Sequence, residues 1–258
     1  MSPPSIVLYD VAGKIKPWNI LTIRTRMVLE YKKIPYRIVW LEYPEIKPTM
    51  ISIGAKPGGI DPTDGSPWYT VPVILDEINV GPDGKPVPIA DSWSIVEYLD
   101  EKFPDRPLLP KGSKGLQGLF HQSFMEIGVL GIVSLTLPRF YENLNEASQP
   151  YFRTTREAYF KKPITEMCPP KGSAEWDETW KSLEKSLDEL AAALDKNGPL
   201  ADHPYVMGDV FSYSDITAVS SLYILSIFYP TEWETIRGWN GGRWGRLLDK
   251  CSAFITQK

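Results

Sequence analysis

The chain of 258 residues carries 28 Lys and Arg against 32 Asp and Glu, a net charge of −4. That balance argues against a general nucleic-acid binder, which needs a basic surface to displace counterions, and against an electrostatic anchor on anionic lipid. Apolar residues at 43% and charged residues at 23% are the mix of a folded protein able to bury its own core without a metal or disulfide staple.

Two cysteines, Cys168 and Cys251, with no CxxC spacing, offer neither a disulfide framework nor a thiolate zinc site. A single bridge between them stays open, with packing as the expected role. His121 and His203 are isolated, so no metal is expected. Met1 to Ser5 has no basic segment of the secretory type. The longest apolar stretch, Ile216 to Tyr229, is interrupted by Thr217, Ser220, Ser221 and Ser226 and falls short of the ~20 residues needed to span a bilayer. A cytoplasmic protein with no membrane contact is the expectation.

The first hundred residues alternate strand and helix signals. Ile6 to Tyr9 is a compact β-favouring run, and Leu21 to Lys33 repeats apolar residues at helical spacing until Pro35 stops it. Tyr36 to Leu41 alternates like a strand, which predicts a β-α-β unit with parallel strands. Pro57 to Ser66 is a Gly/Pro/Asp-rich connection. Val71 to Leu75 and Val87 to Ile89 read as strands flanking the turn Gly81-Pro82-Asp83-Gly84, and their prolines suggest edge positions. Asp91-Ser92 opens a helix over Trp93 to Phe103.

This order is that of a thioredoxin-like module, and residues 1–107 are assigned to it. A proline-rich linker follows, and strand signals then disappear. Helical periodicity covers Leu116 to Leu137, Trp176 to Lys196, Ser214 to Tyr229 and Trp244 to Ile255, with Phe160 to Gly172 irregular. The expected architecture is an α/β thioredoxin-like N-terminal domain followed by an all-α helical-bundle C-terminal domain, residues 116–258.

Three motifs bear on function. Val71-Pro72 at a strand start is either a turn proline or a cis-proline that frees the backbone of Val71 for an added peptide strand. Asp91-Ser92 is either a plain N-cap or a site where helix N–H groups and a hydroxyl receive a carboxylate while Asp91 holds an ammonium. Ser212-Tyr213-Ser214-Asp215 is best explained as a capping box.

Together with Gly208-Asp209 and Ile216, these motifs resemble the skeleton of the glutathione transferases along nearly the whole chain. The likeness is to the fungal etherase-type (FuA) class, related to bacterial glutathione-dependent β-etherases. It rests on Val39-Trp40-Leu41-Glu42-Tyr43-Pro44-Glu45-Ile46, Tyr69-Thr70-Val71-Pro72-Val73-Ile74, Asp91-Ser92-Trp93-Ser94-Ile95-Val96-Glu97-Tyr98-Leu99-Asp100 and Phe103-Pro104-Asp105.

The resemblance implies glutathione as co-substrate, with the Val71 backbone on its cysteinyl part and Trp18, Thr70 and Pro72 beside it. Asp91 and Ser92 would grip the γ-glutamyl head. It further implies an apolar acceptor site in the helical domain, a homodimer, and conjugation of hydrophobic or aromatic electrophiles, such as wood- or lignin-derived compounds, in detoxification. Phe120, Phe124, Tyr141, Tyr151, Phe152 and Tyr159 would wall the acceptor site and dimer cleft, or simply pack the helices.

In that class a serine directly after a tryptophan is expected to face the sulfur; here Trp18 is followed by Asn19. Asn19 is then either a weaker thiol donor or only the helix N-cap, and Thr22, a turn later, is an alternative hydroxyl. A ligandin, which binds aromatic compounds with little turnover, is the rival function. Neither cysteine lies in the first half, which excludes a mixed-disulfide mechanism through that half.

Overall fold

The computed structural model describes residues 6–61, 64–124 and 130–255. They divide into two compact units. The first gathers the chain up to Arg106, Tyr141–Lys162 and the residues from Phe254 onward; the second holds Pro107–Phe140 and Pro163–Ala253.

In the first unit, β1 (Ile6–Val11) pairs in parallel with β2 (Tyr36–Leu41) across α1 (Ile20–Lys32). Asn19 caps the start of α1, and Lys33 ends it in the left-handed region at φ 58. Next comes α2 (Tyr43–Ser52), a helix that periodicity alone did not reveal. Pro44 occupies its first turn, where an N–H would lack a partner anyway, and Pro48 sits inside it. Within the Gly/Pro-rich connection, β3 (Gly59–Ile60) and β4 (Pro67–Trp68) form a separate antiparallel ladder.

Strands β5 (Val73–Val80) and β6 (Pro86–Ala90) close the hairpin predicted around Gly81, and α3 (Ser92–Lys102) follows. The main sheet runs β2-β1-β5-β6. The proline argument holds for β6, an edge strand carrying Pro86 and Pro88. It fails for β5, which is interior: Pro72 lies just before this strand rather than in it, so no ladder hydrogen bond is lost.

Lys32 ties the ends of α1 and α3 together. Its Nζ meets Asp100 Oδ1 at 2.7 Å and donates to the carbonyl of Phe103 at 2.7 Å.

The remaining helices are α4 (Lys114–Phe124), α5 (Leu130–Asn143), α6 (Gln149–Phe160), α7 (Ala174–Leu194), α8 (Tyr213–Phe228), α9 (Pro230–Ile236) and α10 (Trp239–Cys251). The expected helix from Leu116 to Leu137 is described on either side of residues 125–129, as α4 and α5, and those five lie outside the described residues. Asn240, Gly241 and Gly242 are left-handed, so α10 is regular only from Arg243. Tyr141–Lys162, inside the stretch 116–258 expected as the second domain, packs with the first unit. The reason is polar as well as apolar. Ser148 Oγ accepts the Tyr43 N–H at 2.8 Å, Asn145 Nδ2 donates to Glu42 Oε1 at 2.7 Å, and the Phe152 ring meets Tyr43 edge-on at 5.1 Å.

In the second unit α8 is buried along most of its length, its small hydroxyl residues Ser214, Thr217, Ser220 and Ser221 included. No helix among the described residues is long and apolar enough to cross a membrane. The capping box forms as expected. Asp215 accepts from the N–H of Ser212 at 2.9 Å, the Ser212 hydroxyl at 3.0 Å and the N–H of Val206 at 2.7 Å.

Burial pushes the Asp215 carboxyl up to about 7 in spite of these donors. The unfolded chain then releases this proton near pH 4 and the folded one only near pH 7, so the group subtracts stability as pH rises between the two. Relative to Asp215→Asn, the wild type should lose ground in urea unfolding from pH 4.5 to pH 7. Asp215→Ala should cost about 2–4 kcal/mol by orphaning buried N–H groups. A stability difference that is flat with pH would contradict this assignment.

Candidate functional site

The sheet register brings three chain segments to one end. Tyr9 pairs with Val73, and Val73 pairs with Ala90. The end of β1, the start of β5 and the end of β6 therefore coincide. From that end emerge the loop leading to Asn19, the Val71-Pro72 dipeptide and the Asp91-Ser92 helix start.

The Val71–Pro72 bond is cis. The Val71 N–H and C=O have no backbone partner among the described residues, although the residue is only 5% exposed. A buried peptide group without a partner is a donor and an acceptor awaiting one. Thr70, just before it, is exposed. The Pro72 carbonyl accepts the Asp91 N–H at 3.3 Å, which fastens this edge to the start of α3.

Asp91 is held at φ 77, a region that costs an L-residue energy and persists only when its surroundings impose it. Its Oδ1 accepts the N–H groups of Trp93 and Ser94, both at 3.0 Å, while its carbonyl accepts that of Ile95 at 2.9 Å. The first turn thus has one N–H left over, that of Ser92, which has no partner among the described residues. The same holds for the Ser92 hydroxyl and for Asp91 Oδ2. Asp91 is exposed, whereas Ser92 is 5% exposed.

At the start of α1, Asn19 Oδ1 accepts from the N–H groups of Leu21 at 3.0 Å and Thr22 at 3.2 Å. This occupies the carbonyl side of the amide and leaves Nδ2 without a partner among the described residues, on a half-buried side chain. The cap and donor readings of Asn19 are therefore compatible: one atom serves each.

Two of the expected site residues are buried. Thr22 is 0% exposed, and its hydroxyl donates inward to the Asn19 carbonyl at 3.1 Å. Trp18 is 1% exposed and belongs to the core, with its indole against Gly13.

Behind them lies a buried ion pair, Arg26 Nε to Asp10 Oδ2 at 2.8 Å. Burial raises the Asp10 pKa, while Arg26 and the Thr22 hydroxyl oppose the shift. Asn143 anchors the loop before Asn19, its carbonyl accepting from Lys14 N–H and its Oδ1 from Ile15 N–H, both at 2.8 Å.

The aromatic residues singled out in the sequence fall in both units. Phe120 and Phe124 stack at 5.7 Å on α4, whereas Tyr151, Phe152 and Tyr159 serve the first unit by packing on Tyr43 and Trp68. Sequence reasoning missed Arg156, whose guanidinium lies over Tyr43, Phe152 and Trp68. Both cysteines are free thiols, and burial pushes Cys251 up to about 12.

Family models corroborate the architecture. The glutathione S-transferase N-terminal domain matches residues 21–102 and the glutathione S-transferase C-terminal domain residues 115–254. A glutathione S-transferase-like protein of Aspergillus flavus, ustS, is 29% identical, with 93% of this chain and 86% of that protein covered. Among solved structures, the Ceriporiopsis subvermispora glutathione S-transferase CsGST63524, crystallised with glutathione, is 32% identical. Its TM-score is 0.88 over 98% of this chain and 99% of that one. Glutathione transferase GSTFuA3 of Phanerochaete chrysosporium is 29% identical, with a TM-score of 0.88 and full coverage of both chains. The chain belongs to the glutathione S-transferase family and is akin to its fungal FuA class.

Proposed function

We propose that this transferase binds glutathione along the Val71 edge and joins its sulfur to hydrophobic or aromatic electrophiles. The observation that carries the reading is the unpaired Val71 peptide group fastened to a helix start whose remaining donors suit a carboxylate. The cysteinyl backbone adds as a short strand at Val71, with Thr70 and Pro72 flanking it. The γ-glutamyl carboxylate takes the Ser92 N–H and hydroxyl, and the ammonium group takes Asp91 Oδ2.

A free thiol has a pKa of ~8.5, and only the thiolate attacks. Asn19 Nδ2, aided by the positive end of α1, donates to the sulfur and favours that thiolate; each pKa unit is worth ~1.4 kcal/mol. The thiol proton leaves to solvent, since an amide cannot relay it. The thiolate then bonds to the electrophilic carbon, and the leaving group departs with its electron pair. We assign the enzyme a cytoplasmic, homodimeric role in detoxifying aryl compounds, wood- or lignin-derived ones included. A ligandin is the second reading, favoured by the amide of Asn19 standing where the class has a serine.

Two measurements test this. Titration calorimetry should show glutathione binding in the millimolar range or tighter, with Ser92→Ala weakening it roughly tenfold through loss of one charge-assisted hydrogen bond. Absence of heat at millimolar glutathione in the wild type would end the reading. Conjugation of an aryl electrophile should fall about 10- to 100-fold in kcat for Asn19→Ala, as expected when one stabilising donor is removed. Asn19→Ser should stay within tenfold of the wild type; a gain beyond that range would favour the ligandin.

A further inference from the structure

We propose that Arg156 is a positioning residue for the glutathione edge, holding it from α6; this rests on the glutathione reading above. The edge is supplied by the segment after α2, and that segment has little pairing of its own. Strands β3 and β4 contribute two residues each and stay outside the main sheet. A two-stranded ladder is marginal without something packed on it.

The packing comes from α6. The Arg156 guanidinium carbon lies 5.6 Å from the Tyr43 ring centre on α2, 5.8 Å from Trp68 on β4 and 4.8 Å from Phe152 on its own helix. Its Nη1 also donates to Thr155 Oγ1 at 3.1 Å, on the same helix. Tyr159, three residues on, meets Trp68 edge-on at 6.3 Å. One cation therefore joins α2, β4 and α6.

Trp68 is the last fixed point before the edge. Its carbonyl accepts the Gly58 N–H at 2.8 Å, closing the segment on itself. Only Tyr69 and Thr70 separate Trp68 from Val71, a span of at most ~11 Å. A shift of Trp68 therefore reaches the Val71 peptide group almost undiminished. Arg153, on the same helix, faces Tyr141 instead, with Nη2 donating to its hydroxyl at 2.8 Å and the guanidinium over its ring at 4.8 Å.

The test uses Arg156→Met, Arg156→Lys and Arg153→Met in the full chain, each checked by thermal unfolding. Amide hydrogen exchange of Gly58 and Asp61 is followed without ligand, and glutathione affinity is followed by calorimetry. Arg156→Met should exchange at least tenfold faster at both amides and bind glutathione roughly tenfold more weakly, the loss expected of two half-buried cation–π contacts. Arg156→Lys, which keeps the cation, should recover part of both effects, and Arg153→Met should match the wild type. Unchanged exchange in Arg156→Met overturns the proposal, as does faster exchange with unaltered affinity or an equal loss in Arg153→Met. A wild type that binds no glutathione overturns the glutathione reading instead, while exchange still decides whether Arg156 holds the segment.

Discussion

A peptide group that is buried must find a hydrogen-bond partner, and the Val71 group has none among the described residues. Most of the first unit arranges this exception. Strand β5 begins two residues later, Pro72 has no N–H to offer, and the Pro72 carbonyl is tied to the Asp91 N–H at 3.3 Å. That bond sets the distance between an open backbone edge and the start of α3. The φ of 77 at Asp91 is part of the same arrangement, since it turns the carboxylate onto the N–H groups of Trp93 and Ser94. One N–H, that of Ser92, is left.

A comparable division of labour occurs at α1. Asn19 Oδ1 satisfies two of the helix's four orphan donors, and Nδ2 is left over. Thr22 brackets the residue from within, its N–H on the side-chain oxygen and its hydroxyl on the main-chain oxygen. On the proposed mechanism the amide replaces a hydroxyl as thiol donor. The structure around it is that of a cap, so capping and donation draw on different atoms. Whatever electrophile is used, the sulfur would rely on the helix end and a single neutral donor for its ionisation.

Legibility in the sequence followed physical locality. The strands of the main sheet, α1, α3 and the capping box at Ser212 each had a local signal, such as alternation, helical spacing or a capping residue next to its helix. Helix α2 stood open as loop or helix, since it is short and carries Pro44 and Pro48. Helix α6 was hidden because its ring residues pack on Tyr43 and Trp68, about a hundred residues earlier in the chain. That same long-range packing sends Tyr141–Lys162 to the first unit, against the chain order. Of the candidate site, Val71, Pro72 and Asp91 were legible from motif and spacing, and Asn19 from the family resemblance. The interior placement of Trp18 and Thr22 was not, because burial depends on what lies opposite, here Gly13 and Asp10. Arg156 carried no motif at all.

The most direct measurement is a crystal structure of this protein with glutathione bound. The account predicts the cysteinyl N–H and C=O paired with the C=O and N–H of Val71, the γ-glutamyl carboxylate on the Ser92 N–H, and the sulfur within hydrogen-bond distance of Asn19 Nδ2. Glutathione seated elsewhere, with the Val71 peptide group still unpaired, would contradict it.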